Sequence, residues 1–116
     1  MRTELFIDGK WVKGTSTIPV YDPADGSVIA DVHLADDRLC EAAITAAHNA
    51  QSEWAKTAPR MRAEILRKAY ELMIAESEII ATLISKENGK AMPDARGEVA
   101  YAAEFFRWFS EETVRV

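Results

Sequence analysis

The feature that most constrains the fold is a helix predicted to begin at Pro93, after an Asn88-Gly89 pair that ends the helix before it. Two apolar stripes run along this helix at spacings of three and four residues. One comprises Tyr101, Phe105 and Trp108, and the other comprises Val99, Ala102, Ala103, Phe106, Phe109 and Thr113. A helix that is apolar on two sides packs against partners on both. Because the helix is predicted to be still running at Val116, we expect the chain to be the first part of a larger protein.

Composition and charge disfavour several classes of partner. The chain has 116 residues, of which 48% are apolar and 28% are charged, as in an ordinary globular domain. Its net charge of −5 disfavours nucleic acid and anionic membranes as partners. No apolar run is long enough to span a bilayer, and no signal-peptide pattern is recognisable. A single cysteine, Cys40, cannot form an internal disulfide. We therefore predict no nucleic-acid or membrane partner and a cytoplasmic location.

The periodicity of the sequence predicts β elements over residues 4–33 and helices over residues 35–116. Asp8-Gly9 between apolar segments indicates a hairpin, and Pro19 limits its strand to a sheet edge or marks a strand start. Four helices follow, the second capped by Thr57 and the third ending at Asn88. Their predicted buried faces, besides those of the last helix, comprise Leu39, Ala43, Ala46, Ala47, Ala50 and Trp54 in the first, Met61, Ile65, Ala69, Leu72 and Met73 in the second, and Ile79, Ile80, Leu83 and Ile84 in the third.

The residues contain no recognisable catalytic constellation. Cys40 has acidic neighbours, which disfavour a thiolate, so we interpret it as a small helix residue and not as a nucleophile. His33 and His48 are isolated and lack the spacing of metal ligands. The five glycines never occur as Gly-x-Gly, so no phosphate-binding turn is predicted. We predict no catalytic residue and no cofactor-binding residue within this chain.

An ordered series of segments carries a family resemblance. The segments are Phe6–Val12, Val20–Gly26, Ala43–Trp54, Arg60–Leu66 and Glu87–Lys90. Together they resemble the N-terminal segment of the NAD(P)-dependent aldehyde dehydrogenases. Ala95–Val99 followed by Phe105–Glu112 is most similar to the succinate-semialdehyde dehydrogenase branch, which oxidises a short aldehyde that bears a carboxylate.

The resemblance implies an α/β fold, with residues 1–116 forming the N-terminal part of a Rossmann-like cofactor-binding domain. The parent enzyme is then expected to use NAD or NADP, to act on a small aldehyde and to form a homo-oligomer. In the family a cysteine attacks the aldehyde, hydride passes to the cofactor, and a glutamate activates the water that releases the acid. Those residues lie later in family sequences, so this chain alone is expected to be inactive and to bind no cofactor.

The resemblance also implies two peripheral sites. Residues on the last helix line the substrate entrance in the family, and the matching positions here are Gly97, Glu98, Tyr101 and Phe105. Plain core or interface packing is the alternative for Tyr101 and Phe105. In some family members a structural monovalent cation is held by the position of Glu87 and a backbone oxygen near Val20. The alternative for Glu87 is a solvated carboxylate at a helix end.

Gly97 also stands out on physical grounds, because glycine in the second turn of a helix costs roughly 1 kcal/mol relative to alanine. Its presence predicts the close approach of another group. A different class of function remains open, in which the chain is a small non-catalytic α+β module. Such a module would bind a partner, or a second copy of itself, through the aromatic face of the last helix.

Overall fold

A computed structural model of the chain describes residues 2–115, which form four strands followed by four helices. The chain divides into two compact units at Lys56–Thr57. The first unit contains β1 (Leu5–Ile7), β2 (Lys10–Val12), β3 (Ser16–Tyr21), β4 (Val28–Leu34) and α1 (Asp37–Lys56). The second unit contains α2 (Pro59–Ala75), α3 (Ser77–Asn88) and α4 (Met92–Glu112). The predicted order of elements is confirmed.

The first unit holds two separate two-stranded antiparallel sheets, β1–β2 and β3–β4. The first is the predicted hairpin, in which Asp8 and Gly9 both adopt positive φ, 52° and 72°. A two-residue turn of this kind matches the twist of the strands that it joins. Among the described residues β3 pairs with β4 alone, so Pro19 lies within an edge strand, which is the first of its two predicted positions.

The turn between β3 and β4 is held by two aspartates. The N–H of Ala24 donates to Asp22 Oδ1 at 2.9 Å, and the N–H of Ser27 donates to Asp25 Oδ1 at 2.8 Å. Asx bonds of this kind, with Gly26 at φ 75°, fix the chain reversal. The sequence signal at residues 22–26 therefore corresponds to a turn that its own side chains stabilise.

Gly14 is required by close backbone packing that the sequence did not predict. A Cβ atom at this position would lie 1.9 Å from the carbonyl oxygen of Leu34, at the end of β4. That distance is far inside van der Waals contact, and a backbone atom cannot move aside as a flexible side chain does. Only glycine fits here.

α1 begins with a side-chain cap from Asp36, whose Oδ1 accepts the N–H of Leu39 at 2.9 Å. Its predicted buried face is covered only in part. Leu39 is buried and packs near the start of the helix, whereas Trp54, expected to anchor the far end, is 42% exposed. Of the alanines, Ala43 and Ala46 are half-buried, and Ala47 and Ala50 are exposed. β1, the strand that packs against α1, is only three residues long, so it covers only part of the helix and leaves the end near Trp54 exposed.

The core of the second unit is built from small side chains. α4 packs against both α2 and α3. Ala81, Ala95 and Val99 form a buried cluster that is flanked by Ile80, Ile84 and Met92, and Ala103 is buried further along α4. Small residues at helix contacts let the helix axes approach closely. Of the predicted stripe that contains Val99 and Ala103, these two small residues are therefore buried, whereas Phe106 and Phe109 are 38% and 53% exposed.

The predicted buried faces of α2 and α3 are partly wrong. Met61, Ile65 and Leu72 are exposed, and the face of α2 turned inward is the one that carries buried Ala63. On α3, Ile79 is 70% exposed, although Ile80, Leu83 and Ile84 are half-buried or better covered, as predicted. Each helix is apolar on more than one side, so periodicity alone did not select the side that faces α4.

Of three predicted helix boundaries, one is confirmed and two differ from the structure. Ala58, not Thr57, occupies the N-cap position of α2. α3 ends at Asn88 as predicted, with Gly89 in the left-handed conformation at φ 75°. α4 ends at Glu112, so the expectation of a helix that continues to the end of the chain is wrong for residues 113–115, and Val116 lies outside the described residues. The N–H of Thr113 closes the last turn on Phe109 O at 2.9 Å. No helix in residues 2–115 is both long and apolar enough to cross a membrane.

Candidate functional site

The four residues predicted to line a substrate entrance lie on the exposed side of α4. Glu98, Tyr101 and Phe105 follow one another at spacings of three and four residues, and Gly97 lies beside them. The opposite side of the helix carries the buried residues Ala95 and Val99. The structure thus brings all four predicted residues to one helix face. Whether that face lines an entrance stays a prediction.

Tyr101 and Phe105 contact each other directly. Their ring centroids are 5.1 Å apart and the rings are perpendicular, which is the favoured edge-to-face arrangement of aromatic pairs. Tyr101 is nevertheless 70% exposed and Phe105 is 48% exposed. The alternative of ordinary core packing is therefore not met for these two rings within residues 2–115. They form an apolar surface that a group outside residues 2–115 can contact.

A groove continues from this pair along α4. Its volume is about 340 Å³. It is lined by Tyr101, Glu104, Phe105, Trp108 and Phe109. The size falls at the lower end of the range for small-molecule sites, and the lining is mostly aromatic, as in such sites. Trp108 and Glu104 were not among the predicted entrance residues, although Trp108 belongs to the same stripe in the sequence.

Among the described residues that line the groove, Glu104 is the charged one, and its carboxylate is bound by an arginine. Arg107 donates from Nε and from a terminal nitrogen to the carboxylate of Glu104, at 2.8–2.9 Å, and also reaches Glu111 at 2.9 Å. These hydrogen bonds keep the pKa of Glu104 below its ordinary value and that of Arg107 above it. The edge of the groove therefore carries an ionised, charge-compensated carboxylate.

Gly97 leaves an open place on the same face. A Cβ atom there would meet no heavy atom within 4 Å among the described residues. The close approach that the sequence predicted is therefore not made by residues 2–115. The open space next to Tyr101 and Glu98 is the part of the face that a side chain would narrow first.

Glu98 forms an ion pair that the sequence analysis missed. Lys90, which lies in the turn between α3 and α4, donates a hydrogen bond from Nζ to the Glu98 carboxylate. That turn is fixed, because the N–H of Lys90 donates to Asn88 Oδ1 at 3.0 Å and Ser85 Oγ donates to the carbonyl of Lys90 at 2.7 Å. The only sequence signal was the predicted helix end at Gly89, which places Lys90 at the start of the connection.

The predicted cation ligands lie in different units. Glu87 is exposed near the end of α3, in the second unit, and Val20 is half-buried in β3, in the first. The β3–β4 ladder is irregular between Val20 and Tyr21. Within the described part of the chain, no group of three His, Cys, Asp or Glu residues is placed to hold a metal ion. The monovalent-cation site stays a prediction.

Residues 2–115 do not provide a site that fits the pyrophosphate of a dinucleotide. Gly9 and Gly26 occupy turns between strands, and Gly89 follows a helix, whereas a pyrophosphate site needs glycines that lead from a strand into a helix. Cys40 is exposed near the start of α1. The absence of a cofactor contact and of a nucleophile from this chain stays a prediction.

Comparison with known proteins identifies the family. The model of the aldehyde dehydrogenase family matches residues 11–116. The chain belongs to this family. A succinate-semialdehyde dehydrogenase [NADP(+)] from Saccharomyces cerevisiae is 45% identical over 116 residues, covering 99% of this chain and 23% of the yeast protein. A mitochondrial succinate-semialdehyde dehydrogenase from Homo sapiens is 40% identical over 116 residues, covering all of this chain and 22% of the human protein.

A bacterial relative and a solved structure extend this aldehyde dehydrogenase likeness. A succinate-semialdehyde dehydrogenase from Paenarthrobacter nicotinovorans is 64% identical over 88 residues, or 76% of this chain and 20% of that protein. The crystal structure of an aldehyde dehydrogenase from Brucella melitensis biovar abortus 2308 superimposes with a TM-score of 0.96 at 42% identity, covering 99% of this chain and 24% of that one. The expected family and α/β fold are confirmed, and the chain spans less than a quarter of the length of these relatives.

Proposed function

We propose that this chain is the N-terminal part of the Rossmann-like cofactor-binding domain of an aldehyde dehydrogenase. The parent enzyme oxidises a short aldehyde that bears a carboxylate, succinate semialdehyde or a close analogue, to the acid, with NAD or NADP as electron acceptor. One observation carries this proposal: succinate-semialdehyde dehydrogenases match the chain from end to end at 40–45% identity. NADP is included as an electron acceptor because the name of the yeast relative specifies it.

Within the parent, the exposed face of α4 forms one wall of the substrate entrance. The edge-to-face pair of Tyr101 and Phe105 supplies apolar surface for the methylene groups of the substrate, and Gly97 leaves room beside it. This arrangement suits selection by size and does not supply reaction chemistry.

The bond-making residues belong to the part of the enzyme outside this chain. Cys40 is exposed at the start of a helix in the first unit and has no assigned role in the reaction. We infer that residues 1–116 alone neither oxidise aldehydes nor bind the nicotinamide cofactor, and that the parent enzyme is a cytoplasmic homo-oligomer.

The test is a kinetic assay of the purified full-length parent enzyme. Formation of the reduced nicotinamide is followed with succinate semialdehyde, with an uncharged aldehyde of equal length, and with NAD or NADP as acceptor. The proposal predicts the highest kcat/KM for the semialdehyde. The isolated 116-residue chain serves as a control and is expected to show no turnover. A parent enzyme that reduces neither cofactor with any aldehyde would contradict the proposal.

The exposed aromatic face also favours a second candidate, a self-associating module. Five aromatic side chains from the two apolar stripes of α4 are 38–70% exposed, which corresponds to roughly 500 Å² of apolar ring surface in total. A single patch of that total size is at the upper end for a monomer. Sedimentation of the 116-residue chain distinguishes the candidates, since a module predicts dimers at micromolar concentration that Trp108→Ala disrupts. The 116-residue chain would also form dimers if α4 exposes a surface that the rest of the parent enzyme normally covers. The enzyme assay of the full-length parent therefore decides between the two candidates.

A further inference from the structure

We propose that Lys90 determines specificity for anionic aldehydes by neutralising Glu98 on the wall of the substrate entrance. The inference rests on the proposed function, because it assumes that the face of α4 carrying Glu98 lines that entrance. What the structure adds is the partner: Lys90 Nζ forms an ion pair with the Glu98 carboxylate.

The first step concerns the charge on this face. A carboxylate at the wall of an entrance repels a substrate that carries a carboxylate of its own, and the repulsion grows where the walls exclude water. Glu104, the other acidic residue next to Tyr101, is compensated by Arg107. Glu98 is compensated by Lys90. Both carboxylates that flank the aromatic surface are therefore paired.

The second step concerns how firmly the lysine is held. A lysine on a flexible loop would compensate Glu98 only part of the time, since ordering a long side chain costs entropy. Here the backbone of Lys90 is fixed at both its N–H and its carbonyl, by Asn88 and Ser85, and it directly follows Gly89 in its left-handed conformation. The side chain of Lys90 is only 32% exposed, so its methylene groups are partly packed. The turn thus positions the ammonium group at Glu98.

The third step separates this pair from ordinary surface ion pairs. α3 and α4 are also joined by Arg96 and Glu78, whose bidentate contact measures 2.8 and 3.0 Å. Arg96 lies two residues before Glu98 and therefore on a different side of α4. The Arg96–Glu78 pair links α4 to α3, and the Lys90–Glu98 pair links α4 to the turn that follows α3. Loss of either cation removes one link of α4 to its neighbours, but only the loss of Lys90 leaves a bare carboxylate beside Tyr101. Arg96→Met is the matched control for Lys90→Met.

The experiment measures KM and kcat of the full-length parent enzyme for succinate semialdehyde and for an uncharged aldehyde of equal length. Lys90→Met is expected to raise KM for the semialdehyde about 3- to 10-fold relative to the uncharged aldehyde, the factor that one uncompensated charge produces at several ångströms. The kcat values stay the same, and the effect shrinks at high salt. Lys90→Arg, which keeps the charge, retains the original ratio, as does Arg96→Met.

The double variant Lys90→Met/Glu98→Gln removes both charges and is expected to restore the ratio. An equal rise in KM for both aldehydes would show that Lys90 only stabilises the turn. Unaltered KM values for both aldehydes would show that Glu98 does not face the substrate. Either result overturns the inference while the proposed function stands. If Lys90→Met does not fold, an unchanged ratio in Glu98→Lys, which places a cation at the wall, overturns it equally. A parent enzyme without activity on aldehydes overturns the proposed function itself.

Discussion

Replacing Gly97 by alanine tests the open face of α4 in two ways at once. In the 116-residue chain the new methyl group would meet no heavy atom within 4 Å among the described residues, so it causes no clash. Alanine is the better helix former by roughly 0.5–1 kcal/mol. We therefore expect Gly97→Ala to raise the free energy of unfolding of this chain by that amount, although the substituted residue lies on the proposed functional face.

In the parent enzyme, the same substitution is expected to lower activity towards bulky aldehydes. If the face lines the substrate entrance, the methyl group narrows it beside Tyr101 and Glu98. A pocket that is tighter by one methyl group discriminates between aldehydes by about tenfold. We expect kcat/KM to fall by about that factor for a bulky aromatic aldehyde and much less for succinate semialdehyde, with no change in the KM for the cofactor.

Urea denaturation of the chain and steady-state kinetics of the parent enzyme measure the two effects. Gly14→Ala is the control, because its Cβ would lie 1.9 Å from the carbonyl oxygen of Leu34. That overlap is expected to cost about 3 kcal/mol or to prevent folding of the first unit. A loss of stability in Gly97→Ala would refute the open space beside Gly97, and unchanged selectivity of the parent would refute its place at the entrance.

Three further predictions follow from single contacts. Tyr101→Ala in the parent enzyme is expected to change the ratio of kcat/KM between short and long aldehydes more than it changes cofactor affinity; equal values for all aldehydes would remove Tyr101 from the entrance. Asp36→Ala removes the cap on the N–H of Leu39 and is expected to cost about 1 kcal/mol, measured by urea denaturation, with a smaller loss for Asp36→Ser. Hydrogen bonds from Arg96 hold the pKa of Glu78 below its ordinary value, so the stability it contributes is present above pH about 4.3 and is lost as the pH falls through the lower folded-state pKa. We therefore expect the free energy of unfolding to fall less steeply with decreasing pH in Glu78→Gln than in the unsubstituted chain. Superimposable plots of unfolding free energy against pH would contradict that contribution.

The parts of the fold that could be predicted from the sequence are those that local chemistry decides. Asp8-Gly9 specifies its hairpin because both residues tolerate positive φ, and Gly89 ends α3 for the same reason. The end of α3 and the edge position of Pro19 follow from backbone constraints that act within a few residues. No distant partner is needed for any of them.

The buried faces could not be predicted with the same success, because their choice depends on what packs against each helix. α2 offers Met61, Ile65 and Leu72 on one side and Ala63 on another, and the contact with α4 selects the smaller residue. A large side chain would hold the helices further apart. The bulky residues left outside remain apolar surface for further packing, which agrees with a chain that spans less than a quarter of its relatives.

The sequence predicted which residues share the exposed face of α4, but it did not predict the ion pair between Lys90 and Glu98. Tyr101 and Phe105 share a stripe that helical periodicity reveals, and Gly97 is unusual in any helix. The partner of Glu98 is eight residues away across a turn, and no periodicity links Lys90 to it. Contacts that cross a chain reversal depend on the geometry of the turn, which only the structure supplies.

The most direct test of the central claim is the intact mass of the protein that carries this segment in its native source. The yeast and human relatives are between four and five times as long as this chain, because it covers 22–23% of them. We predict a protein of about that multiple of 12.9 kDa, captured with an antibody raised against the segment. A native mass of 12.9 kDa would mean that no catalytic part is attached, and would contradict the assignment of this chain to a functioning aldehyde dehydrogenase.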